Sequence, residues 1–285
     1  MIQDQMEKHQ VFKIRIEMNE LLLLVPILLA SGVIAGLLAG LLGVGGGIVI
    51  VPMLYHIFVY MNIDISIAMP LAIGTSLSTI VVTSIISARS HHKKGGIDWE
   101  LAKRWIPFVI FGVIIGAFSS KFIDGSNLKL MFGILLLVVS INMIVSSYKK
   151  LTIAQKLPGK FGQSIFATLL GGFASLLGIG GGTLMVPLLS LFSFPIHKAV
   201  STASIFGLII SVPATLGYLI VGWNVENLPF ASTGYINWLA FIILVPMTML
   251  FAPLGVKLAY KLNVKQLKTS FAIFLICVGI KMTFF

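Results

Sequence analysis

The sequence predicts an all-α polytopic membrane protein of two related halves, each a glycine-broken re-entrant hairpin followed by about three spanning helices. Three observations predict it. The composition is 58% hydrophobic and only 10% charged, too little polar surface to cover a soluble particle of 285 residues. Apolar stretches able to cross a bilayer, about 20 residues each, follow one another along the chain. A glycine-proline motif occurs twice, once in each half.

Taken in order, residues 1–19 form a mixed-charge tail. Charge-free runs then cover Leu21–Ile63, Ile65–Ala88, Trp105–Ser120 and Leu130–Tyr148. After a basic linker at 149–162, the runs Phe161–His197, Ala199–Val225 and Asn227–Val256 follow, with a last apolar stretch after Lys268. These runs supply eight hydrophobic segments in two units, 20–148 and 163–285. Leu21–Ala30 has the look of a signal-peptide core, but a long mixed-charge segment precedes it and the run continues into the repeated motif. It is read as part of the mature fold. The single cysteine, Cys277, lies in the final apolar run and reads as a small core hydrophobe, so neither a disulfide framework nor a cysteine metal cluster is expected.

The repeat carries the most information. Gly36-Leu-Leu-Ala-Gly-Leu-Leu-Gly-Val-Gly-Gly-Gly-Ile-Val-Ile-Val-Pro52 recurs as Gly171-Gly-Phe-Ala-Ser-Leu-Leu-Gly-Ile-Gly-Gly-Gly-Thr-Leu-Met-Val-Pro187. Ala72-Ile-Gly-Thr-Ser-Leu77 is echoed more loosely by Ala199-Val-Ser-Thr-Ala-Ser204. A nucleotide loop is excluded, because neither copy completes G-x-G-x-x-G, no Gly-Lys-Ser/Thr follows, and no acidic residue stands about 20 positions on. Gly32, Gly36 and Gly40, spaced by four, read as a close-packing seam. Gly43 with Gly45–Gly47, and Gly178 with Gly180–Gly182, read instead as chain breaks, since each glycine costs about 1 kcal/mol inside a helix. Each break is followed by a short helix with Pro52 or Pro187 in its first turns.

Charge sets the topology. The net charge of +11 is gathered in short connectors, a positive-inside pattern and not a nucleic-acid stripe. If each broken run is a hairpin returning to its starting side, then Arg89, Lys93, Lys94, Lys103, Arg104, the linker lysines, Lys198 and Lys257–Lys268 share the cytoplasmic face. Each unit then makes an odd number of traversals, which gives inverted repeats with both termini outside. Leu21–Leu42 is also long enough to span outright, which would leave two parallel units.

In an inverted pair the two breaks approach near mid-membrane, and helix N-termini aimed at one cavity hold an anion without a cationic side chain. No Lys or Arg lies well inside any predicted span. The candidate substrate-binding residues are therefore Gly45, Gly46, Gly47, Gly180, Gly181, Gly182 and Thr183, with hydroxyls from Thr75, Ser76, Ser201 and Thr202. No deep carboxylate is available for a proton relay, and of the histidines His56 lies in an apolar run while His91, His92 and His197 lie near the cytoplasmic boundary.

The paired motifs, the hydroxyl segments, Gly95-Gly-Ile-Asp-Trp99 and the closing region from Gly255 to Gly279 together resemble the sulfite exporter TauE/SafE family of membrane transporters, over nearly the whole chain. The resemblance implies transport of sulfite, sulfoacetate or a related sulfonate across the cytoplasmic membrane of a prokaryote. Its expected partners are that small anion and the lipid bilayer, with no nucleic acid, cofactor or metal. Export is the expected direction, with a passive anion channel or an uptake permease as the alternatives. An intramembrane hydrolase is not expected: paired aspartates, H-E-x-x-H and a G-x-S-x-G elbow are all missing.

Overall fold

The computed structural model describes residues 25–43, 45–148, 152–259 and 264–284. The tail 1–19 lies outside the described residues, as do Lys149, Lys150 and Lys261. The helices are α1 (Val25–Leu42), α2 (Gly47–Tyr60), α3 (Ile65–His92), α4 (Trp99–Ser119), α5 (Gly125–Tyr148), α6 (Lys160–Leu176), α7 (Gly182–Leu191), α8 (Ile196–Val221), α9 (Trp238–Ala259) and α10 (Val264–Phe284). A small antiparallel ribbon, β1 (Ser232–Thr233) with β2 (Ile236–Asn237), precedes α9.

Five of these helices are long and apolar enough to cross a membrane: α3, α4 with the turn after it, α5, α8 and α9. The protein is an all-α, multi-pass membrane protein. Its solvent logic is that of a bilayer. Phe111, Val138, Leu216, Ile242 and Ile273 stand exposed on the outer faces, while Thr75, Ser76, Ser201 and Thr202 are buried inside.

Both glycine-containing runs divide where the glycines stand. The first splits into α1, 18 residues, and α2, 14 residues, and the second into α6, 17 residues, and α7, 10 residues. At 1.5 Å per residue α7 rises only about 15 Å, half of the roughly 30 Å hydrocarbon core. It turns back: the Ile153 N–H donates to the Leu191 carbonyl at 2.8 Å, and the rings of Phe166 and Phe192 lie 6.0 Å apart. The end of α7 thus reaches the level at which α6 begins. In the first run, Ser31 of α1 touches Met53 of α2, again an antiparallel pair.

Each broken run leans on a helix of the other half. A Cβ built on Gly32 would lie 2.7 Å from Met247 Cβ, and one on Gly36 would lie 2.9 Å from Thr248 Cα, so α1 runs against α9 with backbones nearly touching. Likewise Gly112 and Gly116 of α4 face the backbone of Thr168 and Gly172 in α6. The first is the small-residue seam that the four-residue spacing of Gly32 and Gly36 predicts, and Gly112 and Gly116 make a second with the same spacing.

Helix α4 begins earlier than its charge-free run, at Trp99 and not Trp105, because Asp98 caps it: the Asp98 carboxylate accepts the Leu101 N–H at 3.0 Å. Arg104 lies within the helix, held by Glu100 at 3.0 Å. At the start of α9 the side chain of Asn237 performs the same task, accepting the Ala240 N–H at 2.9 Å.

Candidate functional site

The two glycine breaks meet. A Cβ built on Gly45 would lie 3.3 Å from Gly180 Cα, and one on Gly47 would run into the Gly178 carbonyl and approach Ser76 Oγ at 3.0 Å. Residues from both copies of the motif, with α3 beside them, therefore share one buried locus. The backbone there requires glycine for two distinct reasons. Gly43, Gly45 and Gly46 adopt φ of +65°, +75° and +85°, the left-handed region that side chains avoid. In the second break, among the described residues, only Gly178 does so, at +69°. Gly181 has helical angles, and its glycine is a matter of space: a Cβ would lie 2.8 Å from Phe206 Cβ.

Helices α2 and α7 start from these breaks with Gly46 and Gly181 as N-caps, and neither has a side-chain cap. A helix start carries unpaired N–H groups and about half a positive charge, so two buried, uncapped starts make a region suited to an anion. Thr183 stands in the first turn of α7, 2% exposed, and its hydroxyl is buried with no hydrogen-bond partner. Leaving such a group unpaired costs about 1–3 kcal/mol. A ligand oxygen would satisfy it.

The other predicted hydroxyls have protein partners. Ser76 Oγ donates to the Gly178 carbonyl at 3.0 Å, tying α3 to the second break. Thr75 Oγ1 accepts the Asn237 N–H at 2.9 Å, and Thr202 Oγ1 accepts the Asp98 N–H at 2.9 Å. In each case a threonine from one half receives the capping residue of a helix from the other half. Ser201 Oγ lies 3.2 Å from His91 Nδ1. The structure thus brings Gly45 against Gly180 and Gly47 against Gly178 and Ser76, sets Gly46 on α1 and Gly181 on α8, and uses Thr75 and Thr202 as fasteners at helix starts.

Sequence reasoning missed the second half of that fastening. Gly95-Gly-Ile-Asp-Trp99 is echoed by Gly234-Tyr-Ile-Asn-Trp238, each opening on a left-handed glycine, φ +66° and +54°. The signal was present, because Ile, Trp and an Asp/Asn cap keep their spacing. His91 was also placed only near a boundary, whereas it is 1% exposed and its Nε2 lies 3.3 Å from the Gly40 carbonyl.

Comparison with known proteins agrees with this architecture. The family model described as Sulfite exporter TauE/SafE matches residues 28–282. The chain is 34% identical over 255 residues to a probable membrane transporter protein of Haemophilus influenzae, covering 89% of this chain and 96% of that protein. It is 32% identical over 253 residues to one from Methanocaldococcus jannaschii, covering 87% and 91%, and 29% identical over 277 residues to one from Bacillus subtilis, covering 90% and 97%. No solved structure matches the chain. A family match that runs from α1 to α10, together with the spans and the paired breaks, places the chain in the sulfite exporter TauE/SafE family of membrane transporter proteins.

Proposed function

We propose that the protein is a secondary transporter that exports a small sulfur-oxide or organosulfur anion, of the class of sulfite and sulfoacetate, across the cytoplasmic membrane. The observation that carries this reading is the meeting of two uncapped helix starts at the glycine breaks, beside the buried and unpartnered Thr183 hydroxyl. The anion sits there, on the N–H groups that open α2 and α7 and on Thr183 Oγ1. A compact anion with several oxygens fits a site of several directional donors. Gly45 to Gly47 and Gly180 to Gly182 let the backbone approach the anion closely, and Ser76 holds the second break in register.

The two units, 20–148 and 163–285, act as inverted repeats around this point. Three features support that reading: the exchanged seams α1 on α9 and α6 on α4, the exchanged fasteners Thr75–Asn237 and Thr202–Asp98, and the return of α7 to the level of the basic linker. Alternating access then consists of one unit rocking against the other about the breaks.

The test is a flux panel with purified protein in liposomes, offering sulfite, sulfoacetate, sulfate and acetate, with choline as a cation of comparable size. Saturable flux of a sulfur anion is expected. Equal movement of choline, or no sulfur anion moved at all, would overturn the proposal, and unsaturable voltage-driven current would make the protein a channel.

A further inference from the structure

His91 ends a pattern that no motif announces. It lies sixteen residues after Thr75 in α3, and Tyr218 lies sixteen residues after Thr202 in α8. Each reaches the carbonyl at the last turn of the hairpin helix in its own half, just before the glycine break. His91 Nε2 is 3.3 Å from the Gly40 carbonyl, and Tyr218 Oη donates to the Leu176 carbonyl at 3.0 Å. The two latches are alike in place and different in chemistry. A phenol keeps its proton across the physiological range, whereas an imidazole is able to gain and lose one.

The contacts with the Gly40 carbonyl and the Ser201 hydroxyl can be kept by either charge state of His91. The Gly40 carbonyl only accepts, so Nε2 carries a hydrogen in either state. Nδ1, 3.2 Å from Ser201 Oγ, takes the hydroxyl hydrogen when the ring is neutral and donates its own when the ring is charged. Gaining a proton therefore turns the Ser201 hydroxyl hydrogen away from the ring and towards another acceptor. The Gly40 carbonyl lies in the last turn before Gly43, and the Val200 carbonyl would lie 2.6 Å from a Cβ built on Gly43, so the ring stands at the α1 end of the first break.

We propose that His91 is the proton-coupling residue of transport: one proton is taken up at its Nδ1 as the anion binds, and the Ser201 hydroxyl turns away from the ring. This rests on the anion-transport reading above. The proton comes from solvent or a buffer acid, one N–H bond forms on the ring, and nothing else changes covalently. Because coupling is reciprocal, the anion raises proton affinity by the factor by which the proton raises anion affinity. Lys94, in the connector after α3, and His197, in the first turn of α8, also act on the ring, while α1 brings no titratable side chain. His197 is exposed and serves as the control.

The experiment measures sulfoacetate binding to purified wild-type protein by calorimetry from about pH 6 to 8.5, in buffers of differing ionisation enthalpy. Both acidic groups of sulfoacetate stay ionised over that range. Up to one proton should be taken up per anion where the ring is neutral in the free protein and charged in the complex, and over that range affinity should fall by up to tenfold per pH unit as pH rises. His91→Gln keeps a donor for the Gly40 carbonyl but cannot titrate, and it should bind with a flat pH profile, while His197→Gln should keep the wild-type slope. The wild-type proton count needs no variant to fold. Wild-type binding with no proton uptake, or a wild-type slope in folded His91→Gln, overturns the proposal and leaves the anion site standing. A wild type that binds no sulfoacetate at any pH overturns the transport reading for this anion along with it.

Discussion

Replacing Thr183 with valine separates a binding group from a structural one, because the two roles give opposite signs. Thr183 is 2% exposed and its hydroxyl has no partner, so the empty protein carries an unsatisfied polar group at a cost of about 1–3 kcal/mol. Valine nearly preserves the shape and removes that cost, so the ligand-free variant should unfold at the same temperature as wild type or a few degrees higher. The anion, in contrast, loses a hydrogen bond of about 0.5–1.5 kcal/mol, roughly a 2- to 12-fold weaker affinity, and more if its oxygen is left buried and unpaired. Thr183→Ser keeps the hydroxyl and should restore binding. Thermal unfolding in detergent and titration with sulfoacetate read the two quantities independently. A valine variant that is less stable yet binds like wild type would refute the assignment of Thr183 to the anion.

Thr75→Val and Thr202→Val should behave in the reverse way, each lowering stability by about 1–3 kcal/mol through an orphaned N–H at Asn237 or Asp98, with the serine variants retaining it; unchanged unfolding of both valine variants would count against the fasteners. Gly45→Ala places a side chain at φ +75° with Ile80 Cγ2 at 2.9 Å, so flux should be lost. Gly95→Ala, at φ +66° but with open space around it, should cost about 1 kcal/mol of stability and leave flux intact. In a Cys277→Ser background, cysteines at Ser126 and Asn224 should react with an impermeant thiol reagent from outside and one at Gln155 should not; labelling of Gln155 from outside would reverse the topology.

The breaks and seams were legible because glycine is expensive wherever it is not needed. Four glycines in five residues, twice, mark Gly43–Gly47 and Gly178–Gly182, and the four-residue spacing of Gly32, Gly36 and Gly40 marks the seam on α9. What stayed hidden was the division of labour among the hydroxyls. Thr75 and Thr202 find their partners 162 and 104 residues away, and nothing local distinguishes a threonine that receives an N–H from one that awaits a ligand. Helix α4 starts before its charge-free run for a related reason. Lys103 and Arg104 ended the apolar run, but Asp98 begins the helix by capping it, and a first turn at the membrane edge tolerates charge. His91 read as a boundary residue because its neighbours in sequence are basic, whereas its burial comes from α1 and α8, brought in by the fold.

The most direct test of the central claim is to locate the anion. Crystals of the protein soaked with 2-bromoethanesulfonate, with bromine located by anomalous scattering, show where a sulfonate rests. The sulfonate oxygens are expected within hydrogen-bond reach of the N–H groups that open α2 and α7 and of Thr183 Oγ1, beside the contact of Gly45 with Gly180. A sulfonate found only among the lysines of the connectors, with the meeting point of the two breaks empty at saturation, would contradict the account.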